Sequence, residues 1–448
     1  MGVVDGADKG SSTALPFAPW EVVPAVVIAV AAAVLAWRAL SSTPTYDIGL
    51  AYQGGIEAWR TGHPEQLHTW ISTPFLAMVM GLASRVFSES GLAWTITWIN
   101  LAAVGTVLAV VWTGLRRRPT IGRGFWWVTL GFAVAFAPIV SSLWWKQLNL
   151  VAVALAFFAF LAIRRSRPGI GGLLLALSLL VKPLAVLLPI ALLFRRDTRR
   201  AALWTIGWGV AFLALSQAFL AQRAGDLATL NPFPAIDNFS QKSQPANVWV
   251  CHPENFSPQS MFCRIAGSEG FGYQRIAVIA GVLLLAGLAN LVLRERPGRS
   301  WEVFSFALLL SPMVSPIAWS HYQLMLFPMF LLLAVQFHER RAPWMLWIVF
   351  GTALVLTELI WRPASSLPGA LRMLLGGAPE TTESSFRIMS GAMFAQYALY
   401  LGALLWFAIR DTPLARRRPI LLRSAQTREN ASGEHGEDSS ADQSESRF

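Results

Sequence analysis

Between Ile170 and Phe194 the chain carries 25 residues whose only charge is Lys182, and arginines close the run at both ends. Arg164, Arg165 and Arg167 precede it, and Arg195, Arg196, Arg199 and Arg200 follow. If arginine clusters mark the cytoplasmic face of a membrane, this segment enters and leaves by the same face. It must then turn at Lys182-Pro183, roughly 18 Å deep on each limb. Proline lacks an amide proton and keeps the residue before it out of helix, which suits a break there. A cation at a helix break inside a bilayer is costly and marks a functional position, and an anionic partner such as a lipid phosphate would offset the cost. The alternative is one long tilted span in which Lys182 pairs with a buried carboxylate.

The same alternation recurs along the chain and, with 54% hydrophobic and only 14% charged residues and a mean hydropathy of +0.49, it excludes a soluble core. The net charge of +11 is dispersed in short clusters between apolar runs. It reads as a set of topology determinants and not as a stripe for nucleic acid. No cleavable signal peptide is evident, because the apolar run from Val22 is long and lacks a small-residue cleavage site.

Placing every cluster on one side predicts an all-α polytopic membrane protein with about 12 membrane segments, counting the broken hairpin at Lys182-Pro183 as two. Residues 1–21 form a cytoplasmic segment, 22–409 the membrane domain, and 410–448 a cytoplasmic tail whose Ser, Glu and Gly content predicts disorder. Outer loops are expected at 38–91, 221–273 and 362–387. Within the first, Ile48 to Arg60 reads as a short amphipathic helix and Pro74 to Phe87 as a re-entrant or interfacial run too short to cross. Spans are expected over Val22 to Trp37, Leu92 to Leu115, Phe125 to Val140, Leu148 to Ile163, Ala202 to Leu220, Ile276 to Leu293, Val303 to Ala318, Tyr322 to Gln336, Met345 to Ile360 and Ala392 to Ile409. Cys251 and Cys263 share the second outer loop, where they either close a disulfide in an oxidising compartment or remain two thiols.

A transporter, a channel and an enzyme acting on lipid-borne substrates all fit such a molecule. A transporter would place ionisable groups in the middle of several spans and often shows inverted repeats. Here the polar groups gather at the outer ends: Asp47 after the first span, Lys146, Gln147 and Asn149 at the opening of another, Asn255 in the large loop, and His321 at a tight outer turn. Lys182 alone lies deep. That distribution suits an outward cavity open to lipid.

At these positions the chain resembles glycosyltransferase family 87, multispanning bacterial enzymes of the GT-C superfamily that use polyprenyl-phosphate sugars. Relatives include actinobacterial mannosyltransferases of phosphatidylinositol mannosides and lipomannan, and an arabinofuranosyltransferase. The resemblance runs from about Thr45 to Ile409. It rests on Tyr46-Asp47 with Tyr52, Gln147-Leu148-Asn149, Val181-Lys182-Pro183, Asn255-Phe256-Ser257-Pro258-Gln259-Ser260, and Ser315-Pro316-Ile317-Ala318-Trp319-Ser320-His321-Tyr322. The last is the most specific, being similar to a Ser-Pro-Ile-Ser-Trp-x-His-His of the mannosyltransferase members. One departure stands out: Ser72-Thr73-Pro74-Phe75 replaces the family's Tyr-Pro-Pro-Phe, which opens the question of sugar or acceptor preference.

Sugar transfer from a polyprenyl phosphate needs a base for the acceptor hydroxyl and positive charge for the departing phosphate. The resemblance implies Asp47 as the base and Lys182, with Asn149, as the phosphate site. His321 would stabilise the phosphate if protonated and orient the substrate if neutral. Tyr52, Gln147, Asn255 and Gln259 are expected at sugar or acceptor hydroxyls. The sequence has no Asp-x-Asp pair, so neither a metal nor another cofactor is expected, and a single base predicts inversion at the anomeric carbon. The expectation is an inner-membrane glycosyltransferase with an outward site, taking mannose from a polyprenyl-phosphate donor to a cell-envelope glycolipid or polysaccharide. Arabinofuranose is the alternative sugar, and a lipid-linked sugar flippase is the alternative of another class.

Overall fold

The computed structural model describes residues 18–42, 46–67, 72–116, 122–231, 300–314 and 320–359, with scattered positions beyond. The described residues are helical, with no strand among them. The helices are α1 (Val22–Ser41), α2 (Tyr46–Thr61), α3 (Pro74–Ala83), α4 (Glu89–Arg116), α5 (Arg123–Ala135), α6 (Ala137–Trp144), α7 (Asn149–Arg164), α8 (Pro168–Val181), α9 (Leu187–Leu193), α10 (Arg199–Ala224), α11 (Ser300–Val314), α12 (Phe327–Glu339) and α13 (Trp344–Leu359). Four stretches among the described residues are long and apolar enough to cross a membrane: Pro19–Ser41, Glu89–Thr113, Arg123–Trp144 and Arg199–Ala224. Valines and tryptophans stand exposed along α1, including Val27 and Trp37, as expected where lipid is the solvent.

The chain reverses at Lys182. Helix α8 ends at Val181, Lys182 is extended (φ −157°, ψ 122°), and a 3-10 turn over Pro183–Ala185 leads into the seven residues of α9. The first turns of α8 lie against those of α10: a Cβ on Gly172 would stand 2.4 Å from the Trp204 Cβ and 2.8 Å from the Thr205 amide nitrogen. Only glycine permits that approach, the small-residue packing expected between membrane helices. Arg167 and Arg199 therefore lie at one end of the bundle. Ten residues on from Gly172, Lys182 falls level with the middle of α10, roughly 15 Å short of its far end. The Ser178 hydroxyl, donating to the Ala152 carbonyl at 2.7 Å, fixes α8 to α7 at that depth.

Other contacts place the remaining arginines with these. Buried Glu21, at the head of α1, accepts from the Trp127 indole (3.1 Å) and Arg123 (3.2 Å) at the head of α5, so α1 and α5 run side by side in one direction. Phe132 stacks on Phe327 and Phe125 on His338, so α12 runs back along α5 and delivers Arg340 and Arg341 to the Arg123 end. Phe160 stacks on Phe304 at 4.4 Å, which sets the start of α11 beside the end of α7.

Two expected elements differ from those observed. The run expected as Phe125 to Val140 is broken: Phe136 leaves helical geometry (φ −57°, ψ 112°), and Pro138 sits in the first turn of α6. The helix expected from Tyr322 begins at Phe327, after a 3-10 segment Ser320–Leu326, with Pro328 in its first turn. In both places proline removes the donor a continuous helix would need. The spans expected at Ile276 to Leu293 and Ala392 to Ile409, the loops 221–273 beyond Asn231 and 362–387, and the tail lie outside the described residues.

Candidate active site

Five helix ends converge around Lys182: the last turns of α1, α6 and α8 and the first turns of α2 and α7. Irregular backbone within a membrane bundle survives only where side chains satisfy it or where it lines a cavity. Here the satisfying groups are those whose chemistry the sequence had singled out.

Gln147 is their centre. Its Nε2 donates to Asp47 Oδ2, and its Oε1 accepts from Lys182 Nζ at 3.0 Å and from Asn149 Nδ2 at 2.9 Å. A carboxylate can only accept and an ammonium can only donate, so one orientation of the carboxamide serves both. The Asp47 carboxylate and Lys182 ammonium thereby stand no more than about 8 Å apart, two hydrogen bonds and the width of an amide. Gln147 is buried and held twice by its backbone: its N–H donates to the Ser142 carbonyl at 3.0 Å, and its carbonyl accepts from Asn100 Nδ2 at 2.7 Å.

Lys146, 1% exposed, caps the arrangement from below. Its backbone is left-handed (φ 51°), which reverses the chain after α6. A side chain there costs on the order of 1 kcal/mol against glycine. The cation offsets this: Nζ donates at 2.7 Å to the Ala39 carbonyl in the last turn of α1, where a positive charge meets the helix dipole. The contact fixes the end of α1, and so the entry of the Asp47 segment, against the Gln147 turn.

Three contributors escaped the sequence reading. The Tyr322 ring lies under Lys182, with Nζ 4.8 Å from its centroid, a cation–π contact that helps keep the charge in an apolar setting. Asn100 reaches the site from the middle of α4. Thr73 caps α3, accepting from the Leu76 amide at 3.2 Å, and donates its hydroxyl to the carbonyl of Leu180, just before the break at Lys182. The family's proline at this position could make neither bond. Thr73→Val should lower stability by roughly 2 kcal/mol, the sum of a lost cap and a bared carbonyl. The apparent melting temperature of the detergent-solubilised protein measures this, and an unchanged midpoint would show that the tie carries no load.

The remaining expected site residues divide. Tyr52 lies on α2 about 140° round from Asp47. Its hydroxyl donates to the Phe87 carbonyl at 3.1 Å, and its ring packs on the cluster of Ile48, Leu76, Met80 and Leu92. His321 immediately precedes Tyr322 in the 3-10 segment; its side chain, like Asn255, Gln259, Cys251 and Cys263, lies outside the described residues.

A carboxylate and an ammonium bridged by a carboxamide, where several helix ends meet away from the arginine end, form an arrangement compatible with group transfer to or from a lipid phosphate. Comparison with known proteins agrees. The model of Glycosyltransferase family 87 matches residues 70–316, more than half of the chain. The polyprenol-phosphate-mannose-dependent alpha-(1-2)-phosphatidylinositol mannoside mannosyltransferase of Mycobacterium tuberculosis is 25% identical over 397 residues, covering 83% of this chain and 86% of the relative. Its namesake from Mycolicibacterium smegmatis is 25% identical over 382 residues, 81% and 79% of the two chains. No solved structure matches the chain. With the family model matched over more than half of its length and with apolar helices long enough to cross a membrane, this chain belongs to glycosyltransferase family 87 and is a membrane glycosyltransferase.

Proposed function

We propose that the protein transfers mannose from a polyprenyl-phosphate donor to a glycolipid acceptor, with inversion. The observation that carries this reading is the single carboxamide joining Asp47 to Lys182. Asp47 takes the proton of the acceptor hydroxyl, and Lys182 neutralises the phosphate as the bond to the anomeric carbon breaks. In a near-attack complex the acceptor oxygen stands about 3 Å from the anomeric carbon. A hydrogen bond at each end extends the line of attack to roughly 8–10 Å, close to the gap that Gln147 spans. The substrate therefore takes the place of the bridge, and the freed carboxamide turns to a sugar hydroxyl. The first-turn amides of α7 add partial positive charge for the phosphate.

With the arginine end cytoplasmic, the cluster opens toward the outer face of the bacterial inner membrane, within the arrangement of about 12 segments and the 22–409 catalytic domain inferred above. Mannose is favoured over arabinofuranose by the two mannose-dependent relatives and by the Ser315 to Tyr322 stretch. The alternative of a lipid-linked sugar flippase lacks a role for a base bridged to a cation.

The test offers purified protein in nanodiscs β-linked polyprenyl-phosphate mannose and polyprenyl-phosphate arabinofuranose separately, with a mycobacterial glycolipid extract as acceptor. The expected outcome is an α-mannosylated product, its anomeric configuration read by NMR. A β-linked product would exclude single inversion, and product from the arabinose donor alone would overturn the sugar.

A further inference from the structure

The end of α10 remote from Arg199 carries a second cationic centre that the transfer reaction does not use. Arg223, in the last turn of α10, places its guanidinium carbon 3.5 Å from the centroid of the Trp59 ring on α2 and 5.6 Å from that of Phe219. Arg85, just past α3, sets its own 5.4 Å from the same Trp59 ring. Arg60 follows Trp59 in the chain, and all three arginines are exposed. Among the described residues no ion pair engages any of them. Three acids lie within four residues of them in sequence: Glu57 is half-buried on α2, Glu89 is half-buried at the start of α4, and Asp226 accepts the Ala228 amide at 2.8 Å as the cap of the turn after α10.

A guanidinium held against an aromatic ring loses little hydration and keeps its N–H edge free for a bidentate anion, and phosphate oxygens fit that fork. The ring also fixes two arginines that would otherwise roam, so part of the ordering cost is met before a ligand arrives. Around them stand apolar side chains with nothing over them: Val86 is 76% exposed and Leu227 79%, and Phe87 is exposed as well. The apolar outer wall of α10, with Val210 and Leu215 exposed, runs up to the same place. A protein or nucleic-acid partner has no use for an anion site bordered by a hydrocarbon-facing helix. We infer that Arg85 and Arg223, organised on Trp59, bind the phosphodiester of an anionic glycerophospholipid, with Val86, Phe87 and Leu227 seated at the acyl-chain boundary. Asp47 lies about 18 Å along α2 from Trp59, so this site is separate from the transfer centre. It anchors the α2–α3 pair, which carries Asp47 and Thr73, to the membrane surface.

Photo-crosslinking tests the inference on the full-length protein in nanodiscs, using a phosphatidylinositol analogue with a diazirine near the headgroup and mapping labelled peptides. Labelling should concentrate on 82–87 and 219–230 and be displaced by unlabelled phosphatidylinositol but not by phosphatidylcholine. One arginine near a membrane surface changes anionic-lipid affinity about fivefold, so Arg85→Gln with Arg223→Gln should reduce labelling about 25-fold. The paired lysine variants, which keep the charge and lose the planar stack, should fall between. Labelling unaltered in the double glutamine variant would overturn the assignment, as would equal displacement by phosphatidylcholine. Displacement by soluble glycerophosphate at matched concentration would reduce the site to a free-phosphate site and overturn the lipid assignment. The readout needs no turnover, so it stands apart from the mannosyl-transfer reading. Normal melting of the variants separates loss of binding from loss of fold.

Discussion

Asp47→Asn should abolish sugar transfer while leaving donor binding within about twofold. The substitution keeps the size of the side chain and one of its oxygens, so Gln147 Nε2 retains an acceptor, and neither the α2 turn nor the Lys182 contact has reason to move. What disappears is the one carboxylate in the described cluster placed to receive the acceptor proton. Positioned general bases contribute about 10²- to 10⁴-fold, and the loss should fall wholly in kcat because Asp47 touches the acceptor and not the donor phosphate. Donor binding, read by titrating a fluorescent polyprenyl-phosphate sugar, supplies the control. Transfer at the normal rate would move the base elsewhere. Loss of donor binding along with turnover would instead make Asp47 a structural partner of Lys182, holding its charge through Gln147.

Much of this site was legible in the sequence because a membrane makes polar residues expensive. Asp47, Gln147, Asn149 and Lys182 stand out against apolar surroundings, and each must find a partner. Their convergence is what that cost demands. Arginine clusters likewise predict which ends of α5, α8, α10 and α12 lie together, and the contacts of Gly172, Glu21 and His338 agree with that for the pairs they join. Thr73, Asn100 and Tyr322 gave no such signal. A threonine in an apolar helix commonly satisfies itself, as Thr97, Thr106 and Thr205 do by donating to the carbonyl four residues back. Thr73 stands out only as part of the departure at Ser72-Thr73-Pro74-Phe75, and nothing in sequence points to its partner, which lies 107 residues away. The partners of Asn100 and Tyr322 are likewise remote in sequence. Tyr52, five residues along α2 from Asp47, stands nearly on the opposite face of that helix, where its hydroxyl meets the Phe87 carbonyl.

Lys182→Met should cost more than any other single change apart from the base, and it should show in the donor as well as in the rate. Methionine matches the length of the lysine stem and packs in apolar surroundings. It can still lie over the Tyr322 ring, so the helix break, fixed by Pro183 and the Thr73 tie, should persist. The charge does not. A cation aimed at a developing phosphate in a water-poor site is worth about 10²- to 10³-fold in rate, and the ground-state donor, already anionic, loses attraction too. KM for the donor should therefore rise as kcat falls, in contrast to Asp47→Asn, where kcat falls alone. Lys182→Arg keeps the charge but cannot place a planar fork where a single Nζ meets Gln147 at 3.0 Å, so partial recovery is expected. Steady-state kinetics over a donor series separates the outcomes. A Lys182→Met enzyme with unchanged KM and kcat would mean that the buried cation serves the fold alone. The phosphate would then have to be met by the first turn of α7 or by the 3-10 segment that carries His321.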